Sequence, residues 1–333
     1  MTETLPRIGD NTSVNRSTPF FGYHMPKFSY PGVDERGRFE HLVSLVQAAE
    51  AAGFDLATTM DHFYQIDGVG PEEEPMLEAY TTLGALAART SRILLGTMVS
   101  GVTYRNPAML AKQVTTLDVI SGGRAVLGLG AAWNEEEHEG YGFEFPPLGE
   151  RMDRLEEALQ ICKLMFTQER PSFEGRYYRI DRALNNPRPI QPGGPRVIIG
   201  GSGERRTLRM VARYGDISNW WGSLDQLKHY SEVLDRHCEA EGRDPATILR
   251  TVMFPVALIS RERERETVLA DLPPARAATY TTATPAEAAE RVQIYLDAGF
   301  GGFILRNPTF LTPEAIGLAG ELIGLVRGVP TAV

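Results

Sequence analysis

Eight short apolar runs, each followed by a segment of helical periodicity, recur along this chain. The runs are "PFFGYHM", "FDLATTM", "RILLGTMVS", "RAVLGLG", "RVIIGGSG", "DISNWW", "ILRTVMFPVALIS" and "GGFILRNP". They are almost continuously apolar rather than alternating, as strands covered on both faces must be. The intervening segments carry apolar residues at three- and four-residue spacing, and several show helix punctuation. Gly53 follows the first, Pro107 opens the third and Gly122 closes it. Neighbouring parallel strands need a crossover, which a helix supplies. The alternation predicts an α/β fold, and eight units predict a closed parallel (β/α)8 barrel, the TIM barrel; an open doubly wound sheet is the competing arrangement.

A chain of 333 residues with 42% hydrophobic content has material for one large core. The expected organisation is a flexible polar N-terminal tail over 1–18 and a single barrel domain over 19–333. Two insertion loops interrupt it, near 168–195, where "FEGRYYRI" predicts a small hairpin, and near 260–283, where "SRERERE" predicts a solvated charged face. A net charge of -9 argues against nucleic acid and anionic membranes as partners. No run approaches a membrane span, and the polar start has no signal-peptide core. Two cysteines, Cys162 and Cys238, suit a reduced cytoplasmic protein without disulfides.

Barrel active sites lie at the C-terminal ends of the strands. The second run ends in Asp61 and His62, two ionisable groups where a buried strand stops, so they are placed at the catalytic rim. "GTMVSG" ends the third run with small residues that let backbone approach a flat ligand. "GGSGERR" ends the fifth with glycines running into a helix start; free N–H groups and the helix dipole make this an anion site, with Arg205, Arg206 and Arg209 adding charge. Both this turn and "GLGAAWNEEEHEGYG" after the fourth run lack the third glycine of a dinucleotide fingerprint. "EEEHE" at 135–139 lacks zinc-helix spacing and reads as a solvated acidic segment. The six histidines show no metal-ligand spacing, so no metal is expected, and there is no nucleophile elbow. His24, Trp133 and Trp221 stand where they could wall a substrate pocket, though a Trp220–Trp221 pair also suits packing.

These residues carry a resemblance. "AAEAAGFDLATTMDHF", "LLGTMVSGVTYRNPAMLAKQVTTLDVISGGRAVLGLGAAWNEEEHEGYG", "ERMDRLEEAL" and "GGSGERRTLRMVARYGD" are similar to the bacterial luciferase-like superfamily, and more narrowly to its branch using the deazaflavin coenzyme F420. The resemblance implies that His62 is catalytic and lies near the reactive carbon of the deazaflavin. It implies that Asp61 contacts the ring edge, that Met98 and Val99 are joined by a cis peptide behind the middle ring, that Asn134 meets the ring or its side chain, and that Gly201, Ser202, Gly203 and Glu204 hold the phosphate. The sugar-phosphate dehydrogenases of this branch carry an acid three residues before the asparagine; this chain has Ala131 there. That departure favours hydride transfer to or from an apolar or aromatic small molecule, such as an enone, imine or nitroarene. The same barrel admits two other readings: an FMN-dependent monooxygenase served by a flavin reductase, and a cofactor-binding protein without turnover. Family members commonly pair as homodimers through barrel helices, and helix 107–120 is apolar for an outer surface.

Overall fold

The computed structural model describes residues 18–328, so the expected tail lies outside the described residues apart from its last position. Eight strands form the barrel: β1 (Phe20–Met25), β2 (Leu56–Thr59), β3 (Leu94–Thr97), β4 (Ala125–Gly130), β5 (Arg196–Gly200), β6 (Ile217–Trp220), β7 (Leu249–Leu258) and β8 (Gly302–Arg306). Each is followed by a helix: α1 (Arg38–Ala51), α2 (Ala79–Ala87), α3 (Pro107–Ser121), α4 (Leu148–Thr167), α5 (Thr207–Tyr214), α6 (Leu224–Ala240), α7 (Pro285–Asp297) and α8 (Pro313–Arg327). Consecutive strands pair in parallel throughout, and the ring closes where β1 pairs β8 with Phe20 opposite Gly302. That closing pair decides for the barrel over the open sheet.

One apolar residue from each strand fills the interior: Phe20, Leu56, Leu94, Val126, Ile198, Ile217, Leu249 and Ile304, with Met253 above them. This plug makes the barrel a solid core open only at its rim. The alternate residues pack outward against the helices, in a second and larger cluster. Helix ends follow the sequence signals. Asn106 caps α3 by accepting from the Ala108 N–H, Pro107 starts it, and Gly122 ends it in the left-handed region at φ 70°. Ser223 with Gln226 and Thr284 with Glu287 form capping boxes on α6 and α7.

The third apolar run departs from expectation. It is not one strand to Ser100: β3 stops at Thr97, Met98 and Val99 are joined by the cis peptide that the resemblance implies, and Ser100–Gly101 then pairs with the far end of β4. The expected hairpin is present, with Phe173–Glu174 antiparallel to Arg179–Ile180. The second insertion divides in two. Its charged start is exposed as expected, Arg265 pairing Glu262 at 2.6 Å and Glu287 at 2.8 Å. Its continuation, including the short helix Pro274–Ala277, turns over the barrel mouth. There Arg276 donates to the Val69 carbonyl and Arg306 to the Gly68 carbonyl at 3.3 Å, tying this segment and the end of β8 to the loop after β2. Among the described residues, no helix is long and apolar enough to cross a membrane.

Candidate active site

The strand ends open into a cavity of about 1840 Å³. It exceeds the ~300–1,000 Å³ of an ordinary small-ligand pocket, so a large cofactor and a second molecule fit together. His24, Asp61, His62, Met98, Val99, Trp133, Gly201, Ser202, Gly203, Glu204 and Trp221 all line it. Asn134 is not among the lining residues; it is buried, and its carbonyl accepts from His138. Arg209 also falls outside: it pairs with Glu156 at 3.3 Å on the outer surface.

The floor is the Met98–Val99 bulge, seated on the interior plug. Two glycines make room for it. A Cβ on Gly130 would lie 2.8 Å from Val99 Cγ2, and one on Gly200 would lie 2.6 Å from it. A hydroxyl chain holds the same segment from below: Tyr80 to Ser100 at 3.0 Å, Ser100 to Thr97 at 3.0 Å, and Thr97 to the Gly128 carbonyl at 3.1 Å.

His62 is fixed on one side. Its Nδ1 lies 2.8 Å from Glu137 Oε2, in the helix Glu135–Tyr141 that follows β4. Glu137 Oε1 accepts from the Phe63 and Tyr64 N–H groups at 2.6 and 2.9 Å, and Oε2 also accepts from the Tyr104 hydroxyl at 2.7 Å. Burial pushes the Glu137 carboxyl up, but the His62 hydrogen bond and charge, with those of Tyr64 and Tyr104, outweigh it and hold the group below the usual range. The expectation of a solvated acidic segment at 135–139 is therefore corrected. Glu137 and His138 are fully buried, while Glu135, Glu136 and Glu139 are exposed. His138 is structural, its Nδ1 donating to the Asn134 carbonyl at 2.5 Å and its Nε2 meeting Thr103 Oγ1 at 2.6 Å.

Asp61 is held differently. Both its oxygens are taken by Arg105, at 2.6 and 3.0 Å, and Arg105 also reaches Glu78 at 2.6 Å. Burial works against the Arg105 charge, yet Asp61 and Glu78 more than offset that and raise its pKa. His24, whose Nδ1 lies 3.0 Å from Thr58 Oγ1, has a pKa lowered to about 3 by burial first and by Arg306 and His62 next, so it is neutral at physiological pH. Trp133 meets the His62 ring edge-on at 5.3 Å, and Arg306 lies over the rings of Trp221 at 5.3 Å and Tyr280 at 5.4 Å.

At the opposite end, Gly201 adopts φ 103° and Gly203 packs so closely that a Cβ would lie 2.9 Å from Thr207 Oγ1. The N-cap of α5 is Arg206, which makes no side-chain cap, and the Leu208 N–H donates to the Gly203 carbonyl at 3.1 Å. Arg206 is engaged by Asp153 at 2.5 Å, whereas Arg205, exposed at the cavity, has no ion-pair partner among the described residues. Trp220 lines the cavity, and its buried indole N–H has no hydrogen-bond partner among the described residues. Sequence reasoning missed Glu137, Tyr104, Arg105 and Arg276.

The profile of the luciferase-like monooxygenase family matches residues 20–306. The chain belongs to this family. Among curated relatives, it is 32% identical to the F420-dependent glucose-6-phosphate dehydrogenase of Kineococcus radiotolerans, over 85% of this chain and 91% of that protein. It is 31% identical to the enzyme of the same name from Intrasporangium calvum, over 80% and 88% of the two chains. Among solved structures, an F420-dependent secondary alcohol dehydrogenase bound to an F420–acetone adduct superposes with a TM-score of 0.75 at 20% identity, covering 93% of this chain and 99% of that one. The EDTA monooxygenase of Chelativorans sp. BNC1 superposes with a TM-score of 0.80 at 17% identity, covering 94% and 95%. These two likenesses establish the shared luciferase-like barrel.

Proposed function

We propose that this luciferase-like barrel is a coenzyme F420-dependent oxidoreductase acting on an apolar or aromatic small molecule. The observation that carries the reading is a single cavity joining His62, the Met98–Val99 floor and the glycine turn before α5, which has no side-chain cap. Bound F420 would donate or accept hydride, two electrons at once. The floor and the glycine backbone at Gly130 and Gly200 offer a flat wall for a ring system. Gly201, Ser202 and Gly203 would hold a phosphate at the helix start, with Arg205 free to meet the acidic tail. His62 Nε2 is the group placed to take or give the accompanying proton.

The relatives' names point to a sugar phosphate, but the wall beside Trp133 is the methyl of Ala131, which offers no acid for a sugar hydroxyl. Trp133, Trp221, Met60, Ile66, Val69 and Leu272 supply apolar surface around the same space.

The test is a pair of titrations, F420 and FMN separately, followed through the three tryptophans Trp133, Trp220 and Trp221, which all line the cavity. Quenching by F420 and not by FMN is expected; the reverse replaces this reading with the flavin monooxygenase. His62→Ala should then bind F420 normally and lose turnover by ~10²–10⁴-fold. Binding without any turnover across an enone, imine, nitroarene and sugar-phosphate screen would make the protein a carrier.

A further inference from the structure

We infer that Glu137 is a positioning residue that sets the tautomer of His62, so that the nitrogen facing the cavity is the proton-accepting one. The inference rests on the proposed oxidoreductase reading for its consequence, but its geometry stands without it.

Glu137 is fully buried and its carboxyl is held below the usual range, so it is a carboxylate and can only accept hydrogen bonds. A nitrogen 2.8 Å from its Oε2 must therefore carry the proton: His62 Nδ1 donates. In a neutral imidazole the other nitrogen, Nε2, is then bare. It has no hydrogen-bond partner among the described residues, and His62 lines the cavity. The remaining acceptor capacity of Glu137 is spent on Phe63 N, Tyr64 N and Tyr104 Oη. Two of those donors are the backbone immediately after His62. The carboxylate thus fixes both the ring and the segment that carries it.

The consequence for an alcohol or amine oxidation is specific. The substrate O–H or N–H proton would move to His62 Nε2 while hydride passed from the adjacent carbon to oxidised F420, leaving the carbonyl or imine as product. The ring becomes an imidazolium, and the Glu137 charge stabilises it. In the reductive direction the same proton returns from Nε2. Other charged or titratable groups near the ring are Asp61 with Arg105, Tyr104, His24 and Arg306; the first pair is mutually neutralised, burial and Glu137 raise the Tyr104 pKa, and His24 is neutral. Glu137 is the carboxylate in contact with the imidazole.

Glu137→Gln is the discriminating change. Its carbonyl can keep the two backbone donors at Phe63 and Tyr64. Its amide would then point at His62 and Tyr104, so Nδ1 must accept rather than donate, and the proton moves to Nε2. The experiment is nitrogen-15 NMR of the full-length protein with labelled histidine, the His62 signals assigned by their loss in His62→Ala. The expected result is protonated Nδ1 and bare Nε2 in the neutral wild-type ring, reversed in Glu137→Gln. A wild-type ring protonated on Nε2 overturns the inference, so it is tested even if the variant does not fold; an unreversed Glu137→Gln spectrum overturns it too. Tyr104→Phe, which leaves the His62–Glu137 bond in place, should keep the wild-type tautomer. With F420 and a turned-over substrate, Glu137→Gln should lower kcat ~10²-fold or more with little change in KM and move the His62-dependent limb of the pH profile to lower pH. A normal tautomer pattern without F420 binding would sink the functional reading and leave Glu137 in its role.

Discussion

Gly200→Ala tests how the cavity floor is built. Gly200 ends β5 with a backbone outside the left-handed region, so alanine meets no conformational penalty there and any cost is steric. The new Cβ would lie 2.6 Å from Val99 Cγ2, with Val99 Cγ1 at 3.5 Å and Cβ at 3.7 Å. Carbon atoms pack at about 3.5–4.0 Å, so Val99 must move by about 1 Å. It cannot sink, because it already rests on the interior plug of Val126, Ile198 and their neighbours. It moves up, into the space proposed for the coenzyme ring. Overpacking of this kind costs about 1–3 kcal/mol. Val99→Ala removes both Cγ atoms from a half-buried side chain and costs about 1 kcal/mol. Additive effects would destabilise the double variant by about 3 kcal/mol. With the clashing methyl gone, the nearest approach becomes an ordinary contact, so the double variant should lose about 1 kcal/mol, a coupling near 2 kcal/mol. Urea unfolding followed by tryptophan fluorescence gives the stabilities, and F420 titration gives the second readout: weaker in Gly200→Ala, recovered in the double variant. Additivity within about 0.5 kcal/mol, or a Gly200→Ala protein that binds F420 as the wild type does, would refute this packing.

Three further outcomes are expected. Arg105→Ala should lose about 3–5 kcal/mol in urea unfolding, because it strands the Asp61 carboxylate, whose side chain is 1% exposed; Glu78→Gln, at the same guanidinium but 40% exposed, should lose under about 1 kcal/mol, and the opposite order would show that the pair is not structural. His24 has a folded pKa of about 3, below the unfolded value of 6.5, so the unfolded state binds the extra proton between them and stability falls as pH drops through that window. Between pH 7 and pH 5 this group should remove about 2 kcal/mol, and His24→Gln should abolish that part; equal acid sensitivity in both proteins would contradict a neutral buried His24. A homodimer through α3 is expected, since Met109 is 57% and Ile120 50% exposed on it; light scattering should give twice the chain mass at micromolar concentration and a monomer for Met109→Glu/Ile120→Glu, and a wild-type monomer removes the idea.

The barrel was legible because its physics is local and repetitive. A strand buried on both faces must be apolar throughout, and its helix must show a 3.6 period, so eight repeats of that pair leave little choice of architecture. The break after Thr97 was not legible in that pattern: Met98 and Val99 are apolar and extend the run naturally. It came from the resemblance, and its physical support lies in Gly130 and Gly200, which are 30 or more residues away in sequence and whose missing side chains matter only in space. The mouth was missed for the opposite reason. Residues 271–279 have no periodicity, and what places them over the cavity is Arg276 reaching Val69, more than 200 positions earlier.

His62 could be found because the end of a barrel strand is an address. Glu137 could not, since it sits in a run of acids, and such a run is ordinarily solvated. Only one carboxylate of that run points inward, and the helix that selects it is seven residues long, too short for a clear period. A usable signal was nearby: Phe63, Tyr64, Tyr104, Tyr141, Phe143 and Phe145 crowd the segments after β2, β3 and β4, and the rings of Phe63 and Tyr64 meet those of the other two segments at 4.6 to 5.7 Å. An aromatic layer so dense must be closed by something packed against it, and the helix after β4 is the element that follows. Its inward positions are therefore buried whatever their charge, and a buried acid must find donors. Glu137 finds four of them, and one is the ring at the centre of the proposed chemistry. The divided rim follows from this. The loops after β2 and β4 are locked together around His62, the turn after β5 carries the proposed phosphate site, and the segment before α7 turns over the cavity mouth. Trp221 follows β6, apart from both of those loops, whereas Ala131 and Trp133 share the loop after β4 with Glu137, so a change at Trp221 should disturb the His62–Glu137 pair less than a change at Trp133, which meets the His62 ring at 5.3 Å.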